Sequence, residues 1–412
     1  MSGLNFLNKL LDGVDVEWLS LGELGDFIRG NGLQKKDFVE SGFPAIHYGQ
    51  IYTRYGLSAD KTFTYVLPEL ANKLRKAQKN DLLLATTSEN DEDVVKPLAW
   101  LGDNVAISGD MMLFRHEQNV KYLAYFFQSE IFQTQKMKYI TGAKVRRVSS
   151  GDLSKIKIPI PCSNNPEKSL AIQSEIVRIL DKFTALTAEL TAELTAELNM
   201  RKKQYNYYRD QLLSFKEGEV EWKTLGEVAQ YSKTRISFEL LDERNYVGVD
   251  NLLQNRAGKS LSNHVPTSGK LTEFIPNDIL IGNIRPYLKK IWQADCIGGT
   301  NGDVLVIRCI DSSINTRYLY QILADDKFFE YNMQHAKGAK MPRGSKEDIM
   351  KYPIPVPPLT LQARIVEILN KFDTLTNSIT EGLPREIELR QKQYEYYRDL
   401  LFSFPKPETV SN

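Results

Sequence analysis

Two long stretches of the chain carry apolar residues at spacings of three and four, which is the pattern of a helix with one buried face. The first, residues 169–215, contains no Gly or Pro and predicts a helix of about 65 to 70 Å at ~1.5 Å per residue. The second, residues 361–404, contains Gly382-Leu383-Pro384, where we expect a kink because proline removes an amide donor. A helix of such length needs a partner, so we expect the two to pair.

The segments that precede these helices have mixed α and β patterns. Short apolar runs bounded by turn residues predict strands at 81–85, 111–114, 275–282 and 302–308. Amphipathic spacing predicts helices at 122–132 and 318–331. Each segment therefore has the pattern of an α+β domain, and the proline-rich stretches 159–166 and 353–358 mark the boundaries between domain and helix.

The chain contains two copies of the same series of short sequence segments. Residues 17–24 return as 221–228 at an offset of 204, Gly-Ala-Lys at 142–144 returns at 338–340 at an offset of 196, and residues 203–210 return as 392–399 at an offset of 189. The segments between these anchors share little identity. Two similar frames with dissimilar inserts indicate paired domains that have a common task and different targets.

This plan predicts an α+β protein in which two globular α+β domains are separated by two long antiparallel helices, with an internal pseudo-two-fold repeat. A length of 412 residues also exceeds what one hydrophobic core usually organises. We expect an N-terminal segment at 1–16, a first domain at 17–160, a helical spacer at 161–217, a second domain at 218–357, and a distal spacer with a tail at 358–412.

The first helix contains three tandem copies of Thr-Ala-Glu-Leu at 187–198. Replication slippage on a helix surface explains such an array equally well by itself. A second apolar series in the distal helix nevertheless matches the first in register: Leu375, Ile379, Leu383 and Ile387 against Leu186, Leu190, Leu194 and Leu198. A paired spacer that changes length in steps of ~6 Å and ~40° would act as a ruler between two domains.

Composition narrows the chemistry. The net charge is +1, and no stretch of about 18 apolar residues could form a transmembrane helix. Because residues 1–11 also lack the pattern of a secretory signal, we expect a cytoplasmic protein. Three scattered cysteines and four scattered histidines have no metal-ligand spacing, and no nucleotide-binding or nucleophile motif is present. We therefore predict no catalytic residue, no metal and no cofactor for this chain itself.

Basic residues recur at one position of the repeated frame. Lysine and arginine beside Gly and Ser can hold phosphates, and arginine can read guanine edges. Either cluster alone is more simply a solvated loop, but its recurrence favours nucleic acid. The predicted DNA-binding residues are Lys144, Arg146 and Arg147 in the first copy, Lys337, Lys340 and Arg343 in the second, and, with weaker support, Arg285, Lys289, Lys35 and Lys36.

A repeated Gln-Tyr-x-Tyr-Tyr-Arg-Asp block lies near the end of each long helix. Its tyrosines could stack on bases. On a long helix they more simply anchor helix packing or a protein partner. The predicted partner-binding residues are Arg201, Gln204, Tyr205, Tyr208, Arg390, Gln393, Tyr394 and Tyr397.

Together the two-fold repeat, the Ile-Pro-x-Pro exits, the Thr-Ala-Glu-Leu array and the tyrosine blocks resemble the specificity subunit of a bacterial type I restriction-modification system, in particular the type IC group. The resemblance implies that each domain reads one half of an asymmetric bipartite site in double-stranded DNA, while the helices set the gap. Three copies of the array resemble the longer-spacer form. A two-headed protein-binding adaptor with a helical spacer is the alternative, and an undetected enzyme is a third possibility.

The same resemblance implies the partners. Two methyltransferase subunits, which use S-adenosylmethionine, would dock on the repeated helical regions and methylate adenine. Restriction subunits that use ATP and Mg would cleave and translocate unmodified DNA. The specificity subunit itself would perform no chemistry.

Overall fold

The computed structural model describes residues 11, 13–216, 218–378 and 380–404, which fall into two compact units. Unit 1 extends to Glu189 and resumes at Gln391, and unit 2 spans Leu190–Arg390. Both units contain sheets and helices, which confirms the predicted α+β class. Most of the expected N-terminal segment, and the tail beyond residue 404, lie outside the described residues.

Both units are built from many short strands with helices between some of them. The strands of unit 1 are β1 (Val16–Ser20), β2 (Gly25–Arg29), β3 (Phe43–Ile46), β4 (Ser58–Ala59), β5 (Thr64–Val66), β6 (Lys76–Ala77), β7 (Leu82–Ala85), β8 (Thr87–Ser88), β9 (Lys96–Trp100), β10 (Val105–Ile107), β11 (Met111–His116), β12 (Arg146–Arg147) and β13 (Lys157–Pro161). Those of unit 2 are β14 (Glu221–Thr224), β15 (Ala229–Tyr231), β16 (Arg235–Ser237), β17 (Tyr246–Val247), β18 (Lys270–Phe274), β19 (Ile279–Gly282), β20 (Ile291–Gln293), β21 (Gly298–Thr300), β22 (Val304–Cys309) and β23 (Pro353–Val356).

The α-helices are, in chain order, α1 (Leu21–Leu24), α2 (Tyr48–Thr53), α3 (Pro68–Ala71), α4 (Val120–Gln128), α5 (Glu130–Met137), α6 (Ser150–Leu153), α7 (Pro166–Leu213), α8 (Leu225–Val228), α9 (Thr316–Leu323), α10 (Asp326–Gln334), α11 (Lys346–Ile349), α12 (Leu359–Asn377) and α13 (Gly382–Phe402). Helix α7 begins in unit 1 and ends in unit 2, whereas α13 begins in unit 2 and ends in unit 1. Unit 1 is therefore completed by a helix segment that is remote in sequence, whereas unit 2 is one continuous stretch.

The sheets of the two units correspond. In unit 1 the strand order is β2-β11-β7-β9-β4 in the largest sheet and β5-β3-β10-β6 in the second, and β1 pairs with β13. In unit 2 the orders are β15-β22-β19-β20 and β16-β18-β21-β17, and β14 pairs with β23. The central strands β7 and β19 are buried along their whole length, which explains why they are apolar without alternation. The four predicted strands are confirmed as β7, β11, β19 and β22.

The repeat extends to individual contacts in the interior. The Tyr122 hydroxyl donates a hydrogen bond to the Pro159 carbonyl at 2.6 Å, and the Tyr318 hydroxyl donates to the Pro355 carbonyl at 3.1 Å. In both units this bond joins the helix after the central sheet to the last strand of the domain. The sequence offset of 196 therefore reflects equivalent positions in space.

A buried glutamine ties each long helix to its unit. The side-chain oxygen of Gln173 accepts a hydrogen bond from the Asn119 amide at 3.0 Å, and that of Gln362 accepts from the Asn315 amide at 2.8 Å. Asn119 and Asn315 are the N-caps of α4 and α9. Both glutamines are fully buried, so the start of each long helix is fixed against the short helix of the domain.

Two helices that we predicted as continuous are each divided. The helix predicted at 122–132 is α4 followed by α5, and the helix predicted at 318–331 is α9 followed by α10, so both predictions of a single helix are wrong. The side chains of Ser129 and Asp325 accept hydrogen bonds from backbone amides of α5 and α10. These caps start a new helix, because they satisfy amide groups that a continuing helix would bond internally.

Helix α7 is continuous over 48 residues, or about 72 Å at ~1.5 Å per residue, as the spacing predicts. Pro166 is its first residue, where a missing amide costs nothing. Within the tetrapeptide array Leu190, Leu194 and Leu198 are half-buried, whereas Leu186, just before it, is 51% exposed.

The distal helix is two helices rather than one kinked helix, so that prediction is wrong. Helix α12 ends at Asn377 and α13 begins at Gly382, whose φ of +79° favours glycine. Pro384 lies in the first turn of α13, where its amide would have no partner within the helix. Proline therefore begins this helix. Ile379, one member of the predicted apolar register, lies outside the described residues.

Substituting Phe for Tyr122 and for Tyr318 tests the equivalence of the units. Each change leaves a buried proline carbonyl without its donor, so we expect each to lower the free energy of unfolding by about 1–3 kcal/mol. Urea denaturation of the two variants measures the loss. A cost at one position only would contradict the equivalence of the two contacts.

Candidate nucleic-acid interface and partner surface

The repeated basic cluster lies on a loop that has the same backbone hydrogen bonds and a similar conformation in both units. Thr141 and Arg147 exchange two backbone hydrogen bonds at 2.9 Å, and Lys337 and Arg343 exchange two at 2.9 and 2.8 Å. Gly142 and its counterpart at 338 have φ values of +93° and +103°, a conformation that favours glycine. The Gly-Ala-Lys motif is therefore the turn of this loop.

Each loop presents a lysine beside an apolar side chain. Lys144 and Lys340 are exposed at the tips, next to Val145 and Met341, which are 44% and 50% exposed. Arg147 is also exposed, and none of the ion pairs among the described residues involves these lysines or Arg147. A lysine can meet a phosphate and an apolar side chain can contact a base or sugar, so the tips are suited to a nucleic acid.

Two further arginines of the loops are paired. Arg146 forms an ion pair with Asp91 at 2.9 Å and donates to the Gly142 carbonyl at 2.6 Å, so it braces the first loop. Arg343 forms an ion pair with Asp303 at 2.7 Å, although its side chain remains 55% exposed. Arg343 can therefore still reach a ligand on its open side.

The structure brings Arg285 to the second loop. Its backbone amide donates to the Pro342 carbonyl at 2.8 Å, and its side chain is exposed. Arg285 and Arg343 thus lie in adjacent segments of backbone. Lys289 is held differently, because its ammonium group pairs with Asp326 at 2.7 Å.

Lys35 and Lys36 belong to a different segment of unit 1 from loop 141–147. They are exposed on the 3-10 helix Lys35–Asp37. Among the residues that the structure describes, no hydrogen bond or ion pair joins them to loop 141–147.

Tyr205 and Tyr394, which we predicted to bind a partner, support the interior of their own units. Tyr205 is 3% exposed, stacks on Phe372 at 5.9 Å, and donates a hydrogen bond to Gln321 at 3.0 Å. Burial raises the pKa of its hydroxyl to about 12. Tyr394 is half-buried and shares a hydrogen bond with Thr184 at 3.1 Å.

Tyr208 and Tyr397 lie at the edge of the same packing. Tyr208 stacks on Phe372 with ring centres 5.4 Å apart, and Tyr397 stacks on Phe183 at 5.3 Å. They are 40% and 36% exposed. One face of each ring therefore packs on a phenylalanine of its own unit, and the rest of the ring is exposed to solvent.

The most exposed rings of the two blocks are Tyr207 and Tyr396, at 60% and 63%. Each is packed at a steep angle to its neighbouring tyrosine, 73° and 69° respectively. Our sequence prediction did not select them. A helical wheel could have done so, because a residue two positions after a buried tyrosine is rotated by about 200° around the helix.

The polar members of the blocks are held within their helices. Arg201 pairs with a glutamate one turn earlier at 2.6 Å and donates to Gln204 at 2.9 Å. Arg390 pairs with a glutamate one turn earlier, also at 2.6 Å. Gln393 is exposed. These polar residues lie next to the tyrosines on the same helices.

Within the described ranges, no group of three or more His, Cys, Asp or Glu residues is arranged to hold a metal ion. In the same part of the chain, none of the helices combines the length and the hydropathy needed to cross a bilayer. Cys162, Cys296 and Cys309 are free thiols.

A family model described as the type I restriction modification DNA specificity domain matches residues 13–200 and 217–389. The chain is 43% identical over 427 residues to the EcoR124I/EcoR124II specificity subunit of a type I restriction enzyme from Escherichia coli, with complete coverage of both chains. It is 34% identical to the EcoprrI specificity subunit of the same species, over 92% of this chain and 93% of the relative.

A solved structure gives a likeness of fold. The match has a TM-score of 0.60 at 17% identity and covers 94% of this chain and 97% of the other. That structure is described as the structural basis of complex assembly and conformational transition of the type I R-M system. The fold of the two units is therefore shared with an independently solved protein.

Alanine substitutions separate the buried tyrosine from the exposed one. Tyr205→Ala should lower the free energy of unfolding by roughly 3 kcal/mol, since it empties a packed site. Tyr207→Ala should change it by no more than about 0.5 kcal/mol, because the ring is exposed. Chemical denaturation compares them, and similar losses for both would contradict the placement of the two rings.

Proposed function

This chain belongs to the type I restriction-modification DNA specificity family, and from that premise we propose that its two units read the two halves of an asymmetric bipartite site in double-stranded DNA. The family model matches the chain twice, once in each repeat. The inserts between the repeated anchors differ in sequence, so the two half-sites are expected to differ as well. Reading the site directs methylation and restriction that partner subunits carry out.

The observation that carries the proposal is the recurrence of the loops 141–147 and 337–343 with equal backbone bonding and exposed cations. In this proposal Lys144 and Lys340 hold phosphates and fix the position of each unit on the duplex. In this proposal Arg147, Arg285 and Arg343 reach base edges, where arginine favours guanine. Arg146 contributes indirectly, since its side chain braces the loop.

We assign the gap between the half-sites to the helices. Helix α7 runs without a break through the tetrapeptide array and contributes residues to both units. Its half-buried leucines at 190, 194 and 198 are the side of the helix that a second helix would cover. In this proposal a change of one tetrapeptide moves and rotates one unit relative to the other.

We assign the tyrosine blocks to two methyltransferase subunits, one for each repeat. The exposed faces of Tyr207 and Tyr396, with the open edges of Tyr208 and Tyr397, are the aromatic surface of this contact. S-adenosylmethionine would be held by the methyltransferase, and ATP with Mg by the restriction subunits. The complex would act in the cytoplasm, where the chromosome is located.

Deleting one tetrapeptide, residues 195–198, tests the ruler. The shorter helix should make the permitted gap one base pair shorter and leave both half-site sequences unchanged, since no recognition loop is touched. Methylation mapping in cells that carry the assembled system reads both quantities. Thr195→Ala keeps the length and is the control. An altered half-site, or an unaltered gap, would count against the ruler.

Lys340→Ala tests the phosphate contact of the second loop. Losing one phosphate contact should reduce the slope of log binding constant against log salt by about 1, with little change in sequence preference. Fluorescence anisotropy of the methyltransferase complex on a specific duplex measures the slope. Lys270→Ala, which removes an exposed lysine of β18, is the matched control. Equal slopes for Lys340→Ala and the unsubstituted chain would exclude the assignment.

A further inference from the structure

In unit 2, a carboxylate at the start of α10 holds two cations. Asp326 accepts hydrogen bonds from the Arg256 guanidinium and from the Lys289 ammonium, the latter at 2.7 Å. Arg256 also donates to the Ala324 carbonyl and lies over the Phe329 ring at 5.9 Å. Its side chain is 11% exposed. The chain therefore fills this site with its own arginine.

Two cations of the same unit surround the single carboxylate of Asp326, so the site carries more positive than negative charge. Burial tends to raise the pKa of Asp326, but the hydrogen bond from Lys289 and the charge of Arg256 outweigh that effect, so its pKa lies below the usual value. The carboxylate is thus ionised and bonded by two cations from its own unit.

The equivalent site of unit 1 has the acceptors but lacks counterparts of Arg256 and Lys289. Glu130 begins α5 at the position of Asp326, at an offset of 196. Val95 replaces Lys289, since both residues have positive φ (+68° and +52°) at the start of the strand that pairs with the central strand. Among the described residues, no ion pair or side-chain hydrogen bond involves the carboxylate of Glu130.

An open cleft of about 650 Å³ takes the place of Arg256. It is lined by Gln128, which corresponds to Ala324, and by Gln133, which corresponds to Phe329. Five carboxylate residues contribute to its wall, against two cations: Glu92, Asp93, Glu130, Glu395 and Asp399, against Lys96 and Arg398. Arg398 pairs with Asp399 at 3.2 Å, and the buried Lys136 ammonium lies near Asp93. The carboxylates still outnumber these three cations, so the cleft favours a positive guest.

We propose that this cleft of unit 1 binds an arginine side chain of the methyltransferase subunit, which supplies from outside the group that Arg256 supplies within unit 2. This proposal rests on the assignment of that partner under the proposed function. Arginine fits better than lysine, because its planar fork can bond a carbonyl and a carboxylate together while its face stacks on a side chain, as Arg256 does. In unit 1 the Gln128 carbonyl and the Glu130 carboxylate are the corresponding acceptors.

The first experiment tests the cleft without the partner. N-acetyl-L-arginine amide is titrated into the full chain labelled at methionine and valine methyl groups, and the resonances of Met137 and Val95, which line the cleft, are followed. We expect saturable shifts at millimolar probe and binding about fivefold weaker for N-acetyl-L-lysine amide. Glu130→Gln should weaken arginine binding by about fivefold, whereas Glu117→Gln, at an exposed carboxylate on the segment before α4, should not.

The second experiment tests the partner. Val95→Lys introduces the lysine of unit 2 into unit 1. Because Val95 is 1% exposed, the ammonium group must extend from a buried position into the cleft, where it should neutralise Glu130 and weaken assembly with the methyltransferase by about tenfold at low salt. Val95→Leu is the control for the loss of the valine, and Glu130→Gln provides a second variant that preserves shape. Thermal melting of each chain establishes that it is folded.

The outcomes are distinct. Absence of methyl shifts with the arginine probe, or equal binding by the Glu130→Gln chain, overturns the cleft as an arginine site. Binding of the probe with assembly unaffected by both Val95→Lys and Glu130→Gln overturns the methyltransferase as its source. If the unsubstituted chain does not assemble with the methyltransferase, the proposed function fails, while the probe titration still decides the chemistry of the cleft.

Discussion

A stack of one phenylalanine on one tyrosine fastens the long helices in each unit. Phe183 of α7 stacks on Tyr397 of α13 in unit 1, and Phe372 of α12 stacks on Tyr208 of α7 in unit 2. Phe183 and Phe372 are related by the repeat offset of 189 residues, and so are Tyr208 and Tyr397, so each unit includes a long-helix segment from the other repeat. The repeat is therefore a feature of the packing as well as of the sequence, because in each unit a long helix of one repeat packs on a long helix of the other.

Much of this arrangement could be predicted from the sequence, because the repeated anchors and the apolar spacing are strong local signals. The long helix follows from periodicity, and the central strands follow from short apolar runs bounded by turn residues. The division of the two shorter helices could not be predicted in this way. The apolar pattern continues across Ser129 and Asp325, and each break is marked only by a side chain that accepts a backbone hydrogen bond. Pro384 was interpreted as a kink because its position relative to the helix start could not be known beforehand.

The candidate surfaces were predicted less well than the fold. The basic loops were found because they recur, but the ion pairs of Arg146 and Lys289 involve residues distant in sequence. The burial of Tyr205 and the exposure of Tyr207 depend on which side of α7 faces the unit. The contact between Arg256 and Asp326 spans 70 residues in a variable insert, and no sequence pattern announces it. The repeated segments are thus alike while the surfaces of the two inserts differ, which would allow the two units to bind different targets.

The central claim is that each insert specifies one half-site while the repeated frame and helices specify the rest. Exchanging residues 229–336 for the corresponding segment of a relative that has a different site tests this claim directly, with methylated adenines mapped across the host genome. We expect one half of the methylated sequence to change to that of the relative, while the other half and the gap remain as they were. A change in both halves, or in neither, would contradict it.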